Sequence, residues 1–409
     1  MLLQINGGVT APRGFRAGGV HAGIKPGSEK RDMAMIVSDV PAVSAGVYTR
    51  NLVKAAPVRW SSFLTNQSDT AQVIVANSGG ANACTGDEGY QNAIRMAEKT
   101  AQCFGLSQEM VLVASTGVIG KQLPMDLIED GIELLAKSLG PDEAAATAAA
   151  EAIMTTDTAK KEIAVEFTLG EKTVRIGGMC KGSGMIHPNM GTMLGFITTD
   201  ASISKEMLQR ALHSDVEDTF NMVSVDGDTS TNDTVFLLAN GMAGNKRIVD
   251  EDADYTVFCA ALRHVTSFLA KRIAEDGEGA TKLLEVTVQN AAQKTDAVVL
   301  AKSVAGSSLV KAAMYGNDAN WGRVICALGY AGVDFDPELT DITFKSSEGA
   351  VQVVRNGMAT EYSEEVATRI LSAAQVMMNI DIKNGNACAT AWGCDLTREY
   401  VDINADYRS

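Results

Sequence analysis

The sequence contains no uninterrupted run of about 18 apolar residues, the length that a membrane-spanning helix needs. Its first eight residues, Met1 to Gly8, also lack the basic region and apolar core of an export signal. Lysine and arginine are few: 35 of them stand against 50 aspartates and glutamates, which gives a net charge of −15. Nonspecific binding to nucleic acid or to an anionic membrane is therefore not expected. We expect a soluble, cytoplasmic protein whose partners are small molecules.

Cysteine and histidine are also scarce, and neither follows a metal-binding pattern. The seven cysteines are odd in number and form no C-x-x-C pair, which predicts reduced thiols rather than a disulfide framework or a zinc ribbon. The four histidines show no H-E-x-x-H spacing, so we interpret them as structural or surface residues. These patterns predict a protein with no metal and no cofactor.

The 409 residues exceed the usual span of one hydrophobic core, which predicts two domains or one large layered domain. Short β-rich runs predict strands at Met33–Ser38, Gln72–Asn77, Met110–Ala114, Ile163–Phe167, Thr173–Ile176, Leu284–Gln289, Ala297–Ala301 and Val351–Val354. Apolar spacings of three and four predict helices at Gln91–Phe104, Met125–Ser138, Pro141–Met154, Lys205–His213, Ala253–Glu275 and Glu361–Met378. The mixture indicates an α/β or α+β fold. With eight prolines no long linker marks a boundary, and the best division lies near Thr192.

Several glycine-rich stretches come close to nucleotide-binding or calcium-binding motifs but do not meet their requirements. Gly177–Ser183 has the glycine spacing of a phosphate loop, but Lys181 precedes the second glycine instead of following it. Gly182–Gly184 lacks the third glycine of a dinucleotide fingerprint, because His187 stands there. Asp226–Thr231 places threonine where a calcium loop requires glycine. The sequence therefore predicts none of these three kinds of site.

Small and hydroxyl residues beside a few charges suit acyl transfer better than redox or phosphoryl chemistry. Cutting the Gly191-Thr192 bond would give the Thr192 hydroxyl an adjacent α-amine as its general base. Thr116-Gly117, just after a predicted strand, could supply a hydroxyl and a backbone N–H to an oxyanion. Each pair also fits an ordinary turn, and Thr155–Thr158 fits a polar helix terminus. The residues alone leave these alternatives open.

Motifs along essentially the whole chain carry a resemblance to one known family. In order they are Gly23–Lys25, Ile36–Pro41, Val53–Val58, Asn77–Gly86, Ser115–Gly120, Met154–Thr158, Lys181–Thr192, Asp228–Asp233, Asp276–Lys282, Gly316–Arg323 and Val401–Ser409. The chain resembles the ornithine acetyltransferases, also called glutamate N-acetyltransferases, of arginine biosynthesis. It departs from the family pattern at Gly191, where alanine is usual, and at Gly80, where many members carry asparagine.

The resemblance implies a self-processed enzyme with a layered α/β/β/α sandwich of the N-terminal-threonine type and a second, smaller α/β domain. The precursor would be cut between Gly191 and Thr192 into an α chain (1–191) and a β chain (192–409), with Thr192 as nucleophile. Thr116 and Gly117 would form the oxyanion hole. The implied substrate contacts are Thr158, Lys181, Thr192, Glu278, Asn404 and Ser409. The implied assembly contains two α and two β chains.

The implied reaction moves an acetyl group from N2-acetyl-L-ornithine to L-glutamate through an acetyl-threonine intermediate. Lys181 suits a substrate carboxylate and Glu278 a substrate amine, although each could instead form an internal salt bridge. Some family members also use acetyl-CoA, and the chain shows no CoA-binding motif that would decide about this donor. Two alternatives remain: a self-processing hydrolase such as an aminopeptidase, and a processed binding protein.

Overall fold

The computed structural model describes residues 2–187 and 193–405 of the chain. The strands are β1 (Leu3–Ile5), β2 (Phe15–Val20), β3 (Met33–Tyr48), β4 (Thr70–Gly80), β5 (Val111–Val118), β6 (Lys161–Leu169), β7 (Lys172–Lys181), β8 (Leu194–Thr199), β9 (Val223–Ser224), β10 (Thr234–Ala239), β11 (Leu283–Ala291), β12 (Asp341–Ser346), β13 (Gly349–Arg355), β14 (Met358–Ala359), β15 (Gln375–Asp381) and β16 (Ala387–Cys394). The α-helices are α1 (Ala56–Gln67), α2 (Gly86–Phe104), α3 (Met125–Ser138), α4 (Glu143–Ala152), α5 (Lys205–Glu217), α6 (Ala253–Glu275), α7 (Lys294–Gly306), α8 (Ser308–Tyr315), α9 (Trp321–Gly329), α10 (Glu364–Leu371) and α11 (Arg398–Ala405). Short 3-10 helices lie at Gln108–Met110, Phe220–Met222 and Pro337–Leu339.

The first sheet has the strand order β1-β6-β7-β8-β10-β3-β4-β5 within the described residues, with β2 paired to β3. Strand β10 joins its two halves, because it pairs in parallel with β8 and antiparallel with β3. Successive side chains of a strand point to opposite faces. Phe236 and Leu238 accordingly pack into the core that includes residues of α1 to α4. Val235 and Leu237 pack into the core that includes residues of α5 and α6, so this sheet is buried on both faces.

Helix α6 connects the first sheet to the second, whose strand order in the described residues is β14-β13-β12-β15-β11-β16-β9. The helix begins after Asp252, whose side chain accepts a hydrogen bond from the backbone N–H of Tyr255. It contacts β6 and β7 of the first sheet and β9, β11 and β16 of the second. One continuous apolar core, in which Leu262 and Val265 are fully buried, therefore links the two sheets.

The structure confirms the mixed α/β class and corrects two predicted elements. The predicted strand Ala297–Ala301 is wrong, because these residues lie in α7. The predicted helix Glu361–Met378 is wrong beyond Leu371, because Val376 and Met378 belong to strand β15, where buried and partly buried residues alternate. Short apolar runs fit either structure, and the neighbouring strands decide in favour of β15.

The predicted division near Thr192 does not separate the two sheets. Strands β8 and β10 follow that position in sequence, yet β8 pairs with β7 and β10 pairs with β3, both of which precede it.

Among the described helices, no single one has the length and apolar composition to cross a membrane. Lys294–Gly306 and Ser308–Tyr315 meet that test of length and composition as a bent pair, at an angle of 54°.

Candidate active site

A cavity of about 130 Å³ lies where β5, β7 and the start of β10 meet the loops that follow α4 and α6. Its wall is rich in polar side chains and small residues. The described lining residues are Ala81, Thr116, Gly117, Ile119, Thr155, Thr156, Lys181, Gly184, Met185, Met193, Leu194, Ser230, Thr231, Asn232, Asp233, Glu278 and Asn404. These described lining residues come from eight separate stretches of the chain.

Thr116 and Gly117 occupy the end of β5, where the strand runs parallel to the end of β4. Gly117 stands opposite Gly79, and a Cβ at position 117 would lie 2.4 Å from the carbonyl carbon of Gly79. Gly117 also has a φ of +125°, which side chains disfavour. Close approach of the two strands therefore requires glycine here, and it brings the Thr116 hydroxyl to the cavity wall.

Lys181 ends β7 and is 8% exposed. Its Nζ lies 3.4 Å from the hydroxyl oxygen of Thr116, to which it donates. Burial lowers the pKa of Lys181, and the carboxylates of Asp157, Asp233 and Glu278 oppose that shift. Lys181 forms no ion pair with any described residue. The ammonium therefore remains able to bind an anionic group in the cavity.

A buried ionic cluster holds the end of β7 and the loop after α4 in place. Asp157 accepts hydrogen bonds of 2.7 Å from the backbone N–H of Gly182 and 3.0 Å from that of Thr155. The same carboxylate lies 2.7 Å from Nζ of Lys161, which also lies 2.5 Å from Asp276. The cluster therefore fixes the backbone beside Lys181 and beside Thr155.

Glu278 and Asn404 form a second polar pair at the cavity. Asn404 Nδ2 donates a 2.8 Å hydrogen bond to Glu278 Oε2, and the backbone N–H of Glu278 donates to the Ser183 carbonyl at 2.9 Å. A Cβ at Gly184 would lie 2.3 Å from Glu278 Oε1, so glycine makes room for this carboxylate. Glu278 is 8% exposed and forms no ion pair in the described parts of the chain. Its carboxylate suits a cationic amine.

The structure brings five of the predicted site residues to one cavity: Thr116, Gly117, Lys181, Glu278 and Asn404. Thr158 does not line it, because this exposed residue donates from its backbone N–H and hydroxyl to the carboxylate of Asp276. Its neighbours Thr155 and Thr156 do line the cavity. Gly191, Thr192 and Ser409 lie outside the described residues.

Sequence reasoning assigned no role to Asn232 and Asp233, which also line the cavity. Asn232 Nδ2 donates hydrogen bonds of 2.6 Å to the Ala81 carbonyl and 2.8 Å to the Ser115 carbonyl, so it ties the start of β10 to the end of β5. Both residues fall within the Asp228–Asp233 motif, which was the signal that could have identified them.

Comparisons with known proteins place the chain in a family. The model of the ArgJ family matches residues 16–409. The arginine biosynthesis bifunctional protein ArgJ of Symbiobacterium thermophilum is 52% identical, over 98% of this chain and 99% of that protein. The protein of the same name from Thermotoga neapolitana is 49% identical, over 97% of this chain and 99% of that protein. A crystal structure of ornithine acetyltransferase complexed with ornithine, from Mycobacterium tuberculosis, is 38% identical over 46% of this chain and 99% of that chain, with a TM-score of 0.44. By its match to the family model and to full-length relatives, the chain belongs to the ArgJ family.

Proposed function

We propose that this protein is a glutamate N-acetyltransferase that moves the acetyl group of N2-acetyl-L-ornithine to L-glutamate. Membership in the ArgJ family, whose relatives are named arginine biosynthesis proteins, supports this reaction class. The observation that carries the proposal is the content of the cavity: a hydroxyl and a glycine N–H at the end of β5, the buried ammonium of Lys181 and the buried carboxylate of Glu278. This combination suits acyl transfer between amino acids.

The two opposite charges of the cavity match the two charges of an α-amino acid. Lys181 would bind the substrate carboxylate, and Glu278, held by Asn404, would bind a substrate ammonium. Both side chains are largely removed from water, which strengthens their interactions with a bound ligand. Thr155 and Thr156 add hydroxyl groups to the same wall.

The proposed chemistry is covalent and begins with self-cleavage before Thr192. The Thr192 hydroxyl attacks the Gly191 carbonyl, and the C–N bond between Gly191 and Thr192 breaks, which leaves an ester and a free Thr192 amine. Water then hydrolyses the ester, which restores the hydroxyl and leaves the amine as its general base. In the mature enzyme the hydroxyl attacks the acetyl carbonyl of N-acetylornithine, and ornithine leaves. Thr116 and the N–H of Gly117 stabilise the oxyanion. The amine of glutamate then takes the acetyl group from Thr192.

The pairing of the strands supports continued association of the two fragments after cleavage. The proposed β chain contributes β8 and β10 to the first sheet, where they pair with β7 and β3 of the proposed α chain. Separation would expose the apolar faces of these strands to water. We propose that the fragments remain together and assemble as two α and two β chains.

Product analysis after incubation with N-acetylornithine and glutamate tests the proposal. Ornithine with N-acetylglutamate is the expected result. Ornithine with acetate would instead identify a hydrolase. If no ornithine were released, the protein would be a binding protein without this enzymatic activity. A parallel reaction with acetyl-CoA as sole acetyl donor, followed by the initial rate of N-acetylglutamate formation, tests whether this thioester is a second donor.

A further inference from the structure

Asp233 is a buried carboxyl group in the cavity wall that the proposed mechanism does not use. It precedes β10 and is 3% exposed. Its backbone is fixed on both sides, because Thr49 N–H donates to the Asp233 carbonyl at 2.9 Å and Thr234 N–H donates to the Met193 carbonyl at 3.0 Å. In the parallel ladder Thr234 stands opposite Leu194. Asp233 is therefore held level with Met193, the residue that follows the proposed nucleophile.

The two carboxyl oxygens of Asp233 are buried with their hydrogen-bonding capacity poorly satisfied by the described residues. Within residues 2–187 and 193–405, neither of its carboxyl oxygens accepts a well-aligned hydrogen bond, although the backbone N–H of Met193 and the hydroxyl of Thr49 lie beside the carboxyl group. A buried carboxyl without a partner is costly, so such a group usually serves a ligand or a reaction. Asp157 offers the contrast, because its buried carboxylate is fully engaged by Lys161 and by backbone N–H groups. Among the described residues, Asp233 forms no ion pair comparable to that of Asp157 with Lys161.

The protonation of Asp233 is sensitive to the contents of the cavity. Burial raises its pKa well above the usual range for aspartate, and the ammonium of Lys181 offsets only part of that rise. Lys181 and Glu278 are the titratable residues that share the described cavity wall with it. On the adjoining strand ends, the hydroxyl of Thr49 and the backbone N–H of Met193 face the carboxyl group, and neither group titrates. A carboxyl group at the cavity wall is placed to accept a proton from a bound amine and to return it.

We propose that Asp233 is a further catalytic residue, which carries the proton exchanged when an amine displaces the acyl group from the nucleophile. This inference rests on the proposed function. The nitrogen of a neutral amine forms a bond to the acyl carbon while the bond from that carbon to the threonine oxygen breaks. The nitrogen loses one proton to the Asp233 carboxylate, and the departing oxygen receives one proton from Asp233. The carboxyl group returns to its starting state, so no further reactant is needed.

Replacement of the carboxyl by an amide tests this role. Asp233→Asn keeps the shape of the side chain, and we expect it to lower the transfer rate by about 10²-fold or more. The wild-type rate should fall at acidic pH, because a protonated Asp233 cannot accept a proton, and this acidic limb should be absent from the variant. Self-cleavage is measured separately by mass spectrometry of the denatured protein, so that uncut protein is not counted as slow enzyme.

Asp215→Asn is the matched control. Asp215 is also a buried carboxyl with a raised pKa and one unpartnered oxygen among the described residues, but it pairs with Arg263 and does not line the cavity. This control should keep the wild-type rate and acidic limb. Asp233→Glu, which retains a carboxyl, should be cut and should keep an acidic limb.

Two results would overturn the role of Asp233. One is a cleaved Asp233→Asn enzyme that keeps the wild-type acidic limb, whether its rate is high or low. The other is failure of both Asp233 variants to cleave although they fold like the wild type, which would limit Asp233 to processing. Acetate release by the wild type would overturn the proposed acceptor instead, and the same variants would then be compared in deacylation by water.

Discussion

Lys161 and Asp157 form an ion pair in which neither side chain is exposed, with Nζ 2.7 Å from Oδ1. The pair joins the first residue of β6 to the loop that carries Thr155 and Thr156. Because Asp157 also accepts from the N–H of Gly182, the pair fixes the backbone directly after Lys181. The geometry of the cavity therefore depends on charges that lie behind its wall.

Removal of the Lys161 ammonium should destabilise the protein strongly. Lys161→Met leaves two buried carboxylates, Asp157 and Asp276, without their cation, and breaking a buried pair in this way costs about 3–5 kcal/mol. The free energy of unfolding in denaturant measures the effect. Arg16→Met, which breaks the exposed pair with Asp39, is the control and should change that free energy by about 0–1 kcal/mol. Equal losses in the two variants would contradict the assignment.

Asp157 also predicts how stability depends on pH. Burial alone would raise its pKa, but the ammonium groups of Lys161 and Lys181 and its hydrogen bonds bring the pKa to about 2, below the ordinary 3.8. A carboxyl with a lowered pKa in the folded state stabilises the fold above its unfolded pKa and loses that contribution as the pH falls. The free energy of unfolding should therefore decrease between about pH 4 and pH 2.

Unfolding curves over this pH range, recorded for Asp157→Asn and for the wild type, measure that contribution. The variant should show a smaller decrease in the free energy of unfolding, because it lacks the titrating carboxylate. Asp39→Asn alters an exposed carboxylate and should retain the slope of the wild type. An Asp157→Asn protein with an unchanged slope would show that other carboxyls control acid stability.

The sequence predicts the elements of the site better than their connections. The short-range sequence pattern identifies the strand before Thr116. It does not show that the backbone of Gly79 lies so close to position 117 that only glycine fits there. Lys161 and Asp276 are 115 positions apart, and periodicity carries no information about such a pair. The same limit explains Asp233, whose burial depends on strands β3 and β8 pairing on either side of β10.

The hydroxyl of Thr116 should matter for chemistry more than for stability. It accepts from Lys181 at 3.4 Å, which leaves its own hydrogen free to donate to an oxyanion. Thr116→Ala should lower kcat by roughly 10²–10³, the typical cost of one such donor. Thr116→Ser keeps the hydroxyl and should retain most of the rate. An unchanged kcat in a fully cleaved Thr116→Ala enzyme would remove Thr116 from the oxyanion hole.

Cleavage between Gly191 and Thr192 is the prediction on which the amine base depends. Mass spectrometry of the denatured protein should find two fragments, with Thr192 at the start of the second. Thr192→Ala removes the attacking hydroxyl and should remain one chain. Thr343→Ala, a partly buried threonine in the second sheet, is the control and should be cut normally. An intact but fully active wild-type enzyme would exclude the Thr192 amine as base.

The covalent intermediate makes a kinetic prediction, because one nucleophile that serves two amino acids in turn must release ornithine before it acetylates glutamate. Initial rates measured over both substrates should give parallel double-reciprocal lines. N-acetylornithine alone should leave an adduct of about 42 Da, one acetyl group, on the peptide that begins with Thr192. Intersecting lines, with no adduct after rapid acid quench, would instead indicate direct transfer in a ternary complex, and Thr192 would then act in processing alone.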